Sequence, residues 1–282
     1  FISAIGKEKA TGVLHEWQND QLRAAAANAQ VEGDEIAFTA VVPTARINNR
    51  TQISRKSVIV SGTQDTVNTA GRNQELAYQI SKNAKELKRD MELVLCNNQS
   101  AAVGGAAAAR TSSGLASWIQ TNINAIGANG AVGGTDTPGI LRTNGTQRAF
   151  TEAQLKGVAA SCWNSGGDPS MIMLGSFNKQ KLSGFTGGST KMTQADDKKL
   201  VAAIDIYESD FGSMTVVPNR FSRSRDVFVL QPDMWAVAYL RDFQMIDLAK
   251  TGDAQKKAML AEYTLVAKNE AANGAIFDLT TA

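Results

Sequence analysis

The sequence predicts an α+β fold on three observations. One long stretch carries apolar residues at helical spacing, several short segments bounded by turn residues favour extended chain, and loose glycine- and alanine-rich stretches separate them. With 282 residues, 43% of them hydrophobic, the chain is long enough to bury a core in one large domain or two modest ones.

Residues 1–30 open with a short apolar patch, pass through Leu14, His15, Glu16 and Trp17, and run into an alanine-rich piece over 22–29. This reads as an arm with little core of its own. From 31 to 63, extended chain is favoured over 36–42, 51–53 and 57–60, with a break at Pro43 and turn-forming residues from Arg46 to Arg50. These signals predict a long two-stranded hairpin. An isolated ribbon is marginally stable in water, so the hairpin is expected to rest on another molecule.

The strongest local signal follows. Leu76, Ile80, Ala84, Leu87, Met91 and Leu95 recur at steps of three or four, predicting a helix over about 72–96 with its start near Gly71 and a length of roughly 35 Å. Opposite charges three or four apart (Lys82 with Glu86, Glu86 with Arg89, Lys88 with Glu92) add a few tenths of a kcal/mol each. Residues 99–148 are dominated by Gly and Ala and read as loops around one short amphipathic piece at Leu115, Trp118 and Ile119. Thr151 and Gln154 have capping-box spacing ahead of Leu155, Val158, Ala159 and Cys162, and Gly166 and Gly167 end that helix. A strand at 170–174, a helix capped by Ser176, a glycine-rich tip at 184–189 and strands at 200–207, 212–217 and 226–230 complete a mixed half. The alternation over 262–268 predicts a half-buried strand.

Charge and chemistry narrow the function. Net charge is +2, from 29 Lys and Arg against 27 Asp and Glu, so the molecule as a whole is no electrostatic match for nucleic acid, and only one face is expected to meet it. No apolar run is long enough for a membrane helix, and the first residues carry no basic signal-peptide region, so no membrane partner is expected. Cys96 and Cys162 are too few for a disulfide framework and suit buried thiols in a reducing cytoplasm. His15 is the only histidine, which removes most imidazole-based mechanisms. The glycines at 127, 130, 133 and 134 lack the strand and helix of a dinucleotide fingerprint, and the tip from Gly187 to Lys191 lacks the closing glycine of a nucleophile elbow. Asp196 and Asp197 adjoin but have no further metal ligands at recognisable spacing, so solvated loop charge is their default. No catalytic residue, cofactor or metal is expected. Arg46, Arg50, Arg55 and Lys56 on the hairpin suit acidic groups on a neighbouring subunit or DNA phosphates; the neighbour is favoured, because the hairpin must find a surface.

Several blocks then match a known family. Ile5-Gly6-Lys7, His15-Glu16-Trp17, Ser61-Gly62-Thr63, the charged run from Lys85 to Glu92, the segment from Asp205 to Gly212, Pro218-Asn219-Arg220-Phe221, Leu248 to Asp253 and Glu262 to Leu265 together span nearly the whole chain. On these the sequence resembles the tailed-bacteriophage major capsid proteins of the Hong Kong 97-like fold, in the branch of the SU10-like podophages. The resemblance implies an N-terminal arm (1–30), an extended loop formed by the long hairpin (31–66), a peripheral domain built on the spine helix (67–148), an axial domain with a small mixed sheet (149–250) and a return to the peripheral domain (251–282). It implies a non-enzymatic subunit of the virion that assembles in the host cytoplasm into hexamers and pentamers of an icosahedral shell around double-stranded DNA, which it meets non-specifically on the inner face. Scaffolding, portal and decoration proteins are the further partners it implies. Trp17 joins Arg46, Arg50, Arg55 and Lys56 as an expected inter-subunit contact. The absent initiator Met is compatible with the N-terminal proteolysis some relatives undergo. No pattern matches the catalytic Glu and partner Asn of the relatives that lock their shells with an isopeptide bond, so Lys56 is not expected to form one.

Three rivals differ in readily checked features. An encapsulin shares the fold but encloses enzymes rather than DNA. A metal-dependent enzyme using Asp196 and Asp197 needs a pocket lined by titrating groups. A tail or decoration component lacks a spine helix followed by an axial domain.

Overall fold

The computed structural model describes residues 1–281 apart from 21, 24, 37, 68–73, 127–138 and 186–204. In chain order its elements are β1 (Gly6–Lys9), β2 (Leu14–Asn19), β3 (Ala45–Arg50), β4 (Gln52–Ser61), α1 (Gly62–Thr66), α2 (Glu75–Leu95), α3 (Leu115–Trp118) and β5 (Asn122–Asn124). There follow α4 (Glu152–Asn164), β6 (Met171–Leu174), α5 (Ser176–Ser183), β7 (Ile206–Ser209), β8 (Gly212–Pro218), β9 (Val227–Leu230), β10 (Trp235–Asp247), β11 (Ala254–Ala267) and β12 (Gly274–Ile276).

These strands form three sheets: a four-stranded one in the order β1-β10-β11-β4, a six-stranded one in the order β5-β12-β9-β6-β8-β7, and the two-stranded pair β2-β3. The expected α+β class is the observed one. The spine helix is α2, whose 21 residues give about 32 Å. Its apolar stripe buries Leu87, Met91 and Leu95 completely, whereas Leu76 and Ile80 are half-buried. Lys82 pairs with Glu86 at 3.9 Å as its spacing predicts. Lys88 and Arg89 lie instead over the rings of Phe243 and Phe221, and Glu92 accepts from the Asn219 amide at 2.7 Å.

Two apolar cores share the six-stranded sheet. In β6 and β9, Met171, Met173, Phe228 and Leu230 face one core with α2, α3, β10 and β11, while Ile172, Leu174, Val227 and Val229 face the other with α4 and α5. That two-sided burial is why these strands read as unbroken apolar runs. The Thr151 capping box of α4 forms in both directions, and Gly166 closes the helix at φ 80°, a conformation that favours glycine.

Four expectations need correction. The long hairpin over 31–66 does not form among the described residues: those of 36–42 lie in no strand, and β4 pairs antiparallel with β11, some 200 residues downstream. Arg46 and Arg50 lie not in a turn but in β3, which pairs with β2 from the arm. Much of the arm is bound to its own chain, since β1 runs parallel to β10 and Ile5 is buried. The sheets also divide the chain differently from a 149–250 segment: β10 belongs with β1, β11 and β4, and β12 with the six-stranded sheet. In smaller details, α5 is capped at Gly175 rather than Ser176, and the C-terminal half of β11 is buried throughout because it is a central strand. The glycines at 127–134, the tip from 187 to 191, Asp196, Asp197 and the start of the 200–207 strand lie outside the described residues.

Candidate inter-subunit interface

The β2–β3 pair is a stem clamped to the body by polar groups. Trp17 donates its indole N–H to the Ala267 carbonyl at 2.9 Å and lies 5.7 Å from the ring of Trp118. Asn49, fully buried, donates to the Leu265 carbonyl at 2.7 Å and accepts from the Ser113 N–H at 3.0 Å. Opposite it in register is His15, whose ring lies tilted 5.8 Å from that of Trp17. Burial holds the His15 imidazole below its usual range, and the nearby Glu8 opposes that shift. At the junction of β3 and β4, Thr51 donates its hydroxyl to Glu262 at 2.9 Å. Glu262 is buried between Arg110 and Arg241, so its charge is compensated.

Beyond the stem the picture changes. Every described residue from 20 to 44 is exposed, among them Leu22, Val31, Ile36, Phe38, Val41 and Val42. Phe38 is 95% exposed and Val41 93%, nearly the full surface these side chains can present. Single exposed apolar residues are ordinary; six large ones on one projecting segment mark a surface that is covered in the working state. The same segment carries Asp20, Glu32, Asp34 and Glu35 against Arg23 alone, so it is acidic as well as apolar.

The sequence-derived contact residues do not converge on one patch. Arg46 lies on the stem 3.5 Å from Glu16. Arg50 ends β3 half-buried, and Arg55 is exposed on β4. Lys56 pairs with Asp90 of α2 at 2.8 Å, and that bond and charge raise its pKa. Trp17 and Lys56 therefore fasten parts of the chain to each other. Among the described residues no group of His, Cys, Asp or Glu is placed to hold a metal, and no helix is long and apolar enough to cross a membrane.

A charged knot near the C-terminus was invisible to sequence reasoning. Asp278, fully buried and at φ 62°, accepts from Arg142 at 3.0 Å, Arg225 at 3.0 Å and the Gly145 N–H at 2.8 Å, and Arg142 stacks on Phe277. Asp226 pairs with Arg223 at 2.9 Å nearby, and burial pushes its carboxyl up to about 6 against the pull of that arginine. Only a local signal existed for the Arg223–Asp226 pair, three residues apart; the partners of Asp278 come from 53 to 136 positions away.

The sequence model of the SU10 major capsid protein family matches residues 1–280. The chain belongs to the SU10 major capsid protein family. A curated relative, the major capsid protein of Escherichia phage Phieco32, is 27% identical over 312 residues, covering 98% of this chain and 89% of its own. Solved structures share the fold. The capsid of a native GTA particle superposes with a TM-score of 0.64 at 11% identity, over 99% of this chain and 89% of that one. The structure from Mycobacterium phage Cain gives 0.61 at 12% identity, over 100% and 90%. The Hong Kong 97-like fold expected from the sequence is thus the fold of this SU10-family chain, and family membership places it among the structural proteins of the phage virion.

Proposed function

We propose that the protein is the shell-forming subunit of a tailed-phage head, assembling into hexamers and pentamers that enclose double-stranded DNA. The observation that carries this reading is the 20–44 segment, which presents six large apolar side chains to water on a stem held rigidly to the body. A lone molecule has no use for that surface; a closed array of identical copies covers it, and small gains repeat over every contact. The extended-loop role belongs to 20–44 on the β2–β3 stem, the peripheral role to α2 with the four-stranded sheet, and the axial role to the six-stranded sheet with α4 and α5. Arg46, Arg50 and Arg55 lie where their charges can meet acidic groups of a neighbour, Arg46 beside its own Glu16, while Trp17 and Lys56 anchor the elements that carry them.

With a net charge of +2, contact with packaged DNA is non-specific and confined to the inner face. Assembly takes place in the host cytoplasm. Scaffolding, portal and decoration proteins are the further partners; among the structural relatives, one phage G structure contains decoration proteins and a satellite phage P4 procapsid contains a size-determination protein. Electron microscopy of the expressed protein tests the reading. Closed shells of uniform size are expected, with nuclease-protected DNA in particles from infected cells. A strictly monomeric protein under all assembly conditions contradicts the reading, and shells filled with enzyme instead of DNA point to a cellular compartment.

A further inference from the structure

Asn is followed by Gly at three places in the sequence, 129–130, 144–145 and 273–274. A glycine has no side chain to keep its main-chain nitrogen away from the amide of the preceding asparagine. The first pair lies outside the described residues. Asn273 is sealed in the interior. It is fully buried, its Oδ1 accepts from the Gln231 N–H and the Trp235 indole at 2.8 Å each, and its amide donates to the Asn269 carbonyl at 2.9 Å. Gly274 is held in β12 between two strands. Asn144 differs on every count: it is exposed to water and lies in the irregular chain from 139 to 147.

The charged knot around Asp278 reaches both halves of this pair. Arg223 donates through Nη2 to Asn144 Oδ1 at 2.7 Å; a guanidinium can only donate, so the side-chain carbonyl and not the amine faces it. The Gly145 N–H donates to Asp278 Oδ1 at 2.8 Å, and the Gly145 carbonyl accepts from Arg225 at 2.7 Å. A cation thus sits on the carbonyl where attack at Cγ builds negative charge, and a carboxylate sits on the nitrogen that must lose its proton. Neighbours in sequence supply the reacting atoms, while residues 79 and 133 positions downstream supply the groups that act on them.

We propose that the folded chain modifies itself at Asn144, turning the amide into a carboxylate through a succinimide. The Gly145 nitrogen bonds to Asn144 Cγ as its proton passes to Asp278. The Cγ–Nδ2 bond then breaks, and the departing amine takes that proton and leaves as ammonia. Water, which reaches this exposed residue, opens the cyclic imide at either carbonyl and gives aspartate or isoaspartate. No oxidant or further reactant takes part. The product suits its surroundings. Among the described residues of the knot, Arg142, Arg148, Arg223 and Arg225 face two carboxylates, Asp226 and Asp278. A carboxylate at 144 adds a third negative group and makes the contact with Arg223 a charge-assisted one, about twice as strong as its neutral counterpart. The proposal does not depend on the capsid reading.

Peptide mass spectrometry of the full chain tests it, with labelling by an isoaspartyl methyltransferase as the probe for isoaspartate. Samples drawn during incubation at neutral pH compare the folded chain with the same chain held unfolded in denaturant. Folded protein is expected to lose Asn144 about tenfold faster than unfolded protein, while Asn273 converts only in the unfolded chain. Arg223→Met combined with Asp226→Asn removes both members of a buried pair, so neither charge is left bare, and is expected to bring the folded rate at Asn144 down to the unfolded one. Asn144→Asp, which installs one of the products, is expected to raise the urea midpoint of unfolding. Folded protein that keeps Asn144 intact, or converts it no faster than unfolded protein, overturns the proposal, because Arg223 and Asp278 then only hold the loop. An unchanged folded rate in the double variant overturns the part given to Arg223, and a midpoint that fails to rise in Asn144→Asp overturns the tightening of the knot.

Discussion

Phe38 offers a clean separation between folding and assembly. It is 95% exposed in the single chain, so replacing it by serine removes almost no contact that holds the subunit together, and surface changes of this kind shift folding stability by no more than about 0.5 kcal/mol. Burying a phenylalanine side chain against a neighbour contributes about 1.5–3 kcal/mol, and every 1.4 kcal/mol changes an equilibrium constant tenfold. Phe38→Ser is thus expected to raise the subunit concentration at which particles form by about 10- to 100-fold, while the midpoint and slope of urea unfolding of the free subunit stay unchanged. Sedimentation of a concentration series reads the first quantity and circular dichroism the second. An unchanged assembly threshold, or an unfolding midpoint that drops with it, refutes the assignment of this side chain to an interface.

Three further outcomes follow from the interior. Asp278→Asn keeps a side chain that tolerates φ 62° but removes the charge facing Arg142 and Arg225, and is expected to cost about 3–5 kcal/mol in denaturant unfolding; a loss below about 1 kcal/mol contradicts the structural role of the knot. Asp226 has its folded pKa raised from 3.8 to about 6, so the folded state holds this proton more tightly than the unfolded chain. Its stabilising contribution is complete below about pH 4 and is lost as pH rises through about 6, and a stability profile over that window is expected to flatten in Asp226→Asn. Leu87→Ala, at the fully buried face of the spine helix, is expected to cost about 2–5 kcal/mol by the same unfolding measurement, and a cost under 1 kcal/mol denies α2 its place in the core.

What the sequence revealed depended on the range of the interaction that fixes each element. The spine helix and the Thr151–Gln154 capping box are specified by residues three or four apart and lie where their spacing puts them. The hairpin does not. Residues 36–42 and 57–60 have similar β-propensity, but among the described residues only the latter find a strand partner, in β11, and propensity carries no address for a strand so far downstream. The same gap hid the buried strand at 260–267. Glu262 and Thr264 give it an alternating, half-exposed look, yet Arg110, Arg241 and Ser112 satisfy both inside the protein. Of the residues chosen as contacts, the basic ones on β3 and β4 were found by charge. The β-propensity of 36–42 pointed to a two-stranded hairpin resting on another molecule, whereas the described residues of that stretch lie in no strand and expose their apolar side chains.

Hydrogen exchange measured peptide by peptide, in free subunits and in assembled particles, tests the central claim most directly. Amides over 31–42 are expected to exchange within seconds in the free subunit, as exposed irregular chain does, and to slow by orders of magnitude in the particle. Equal and rapid exchange in both states would show that the segment stays bare in the shell and that some other surface holds the copies together.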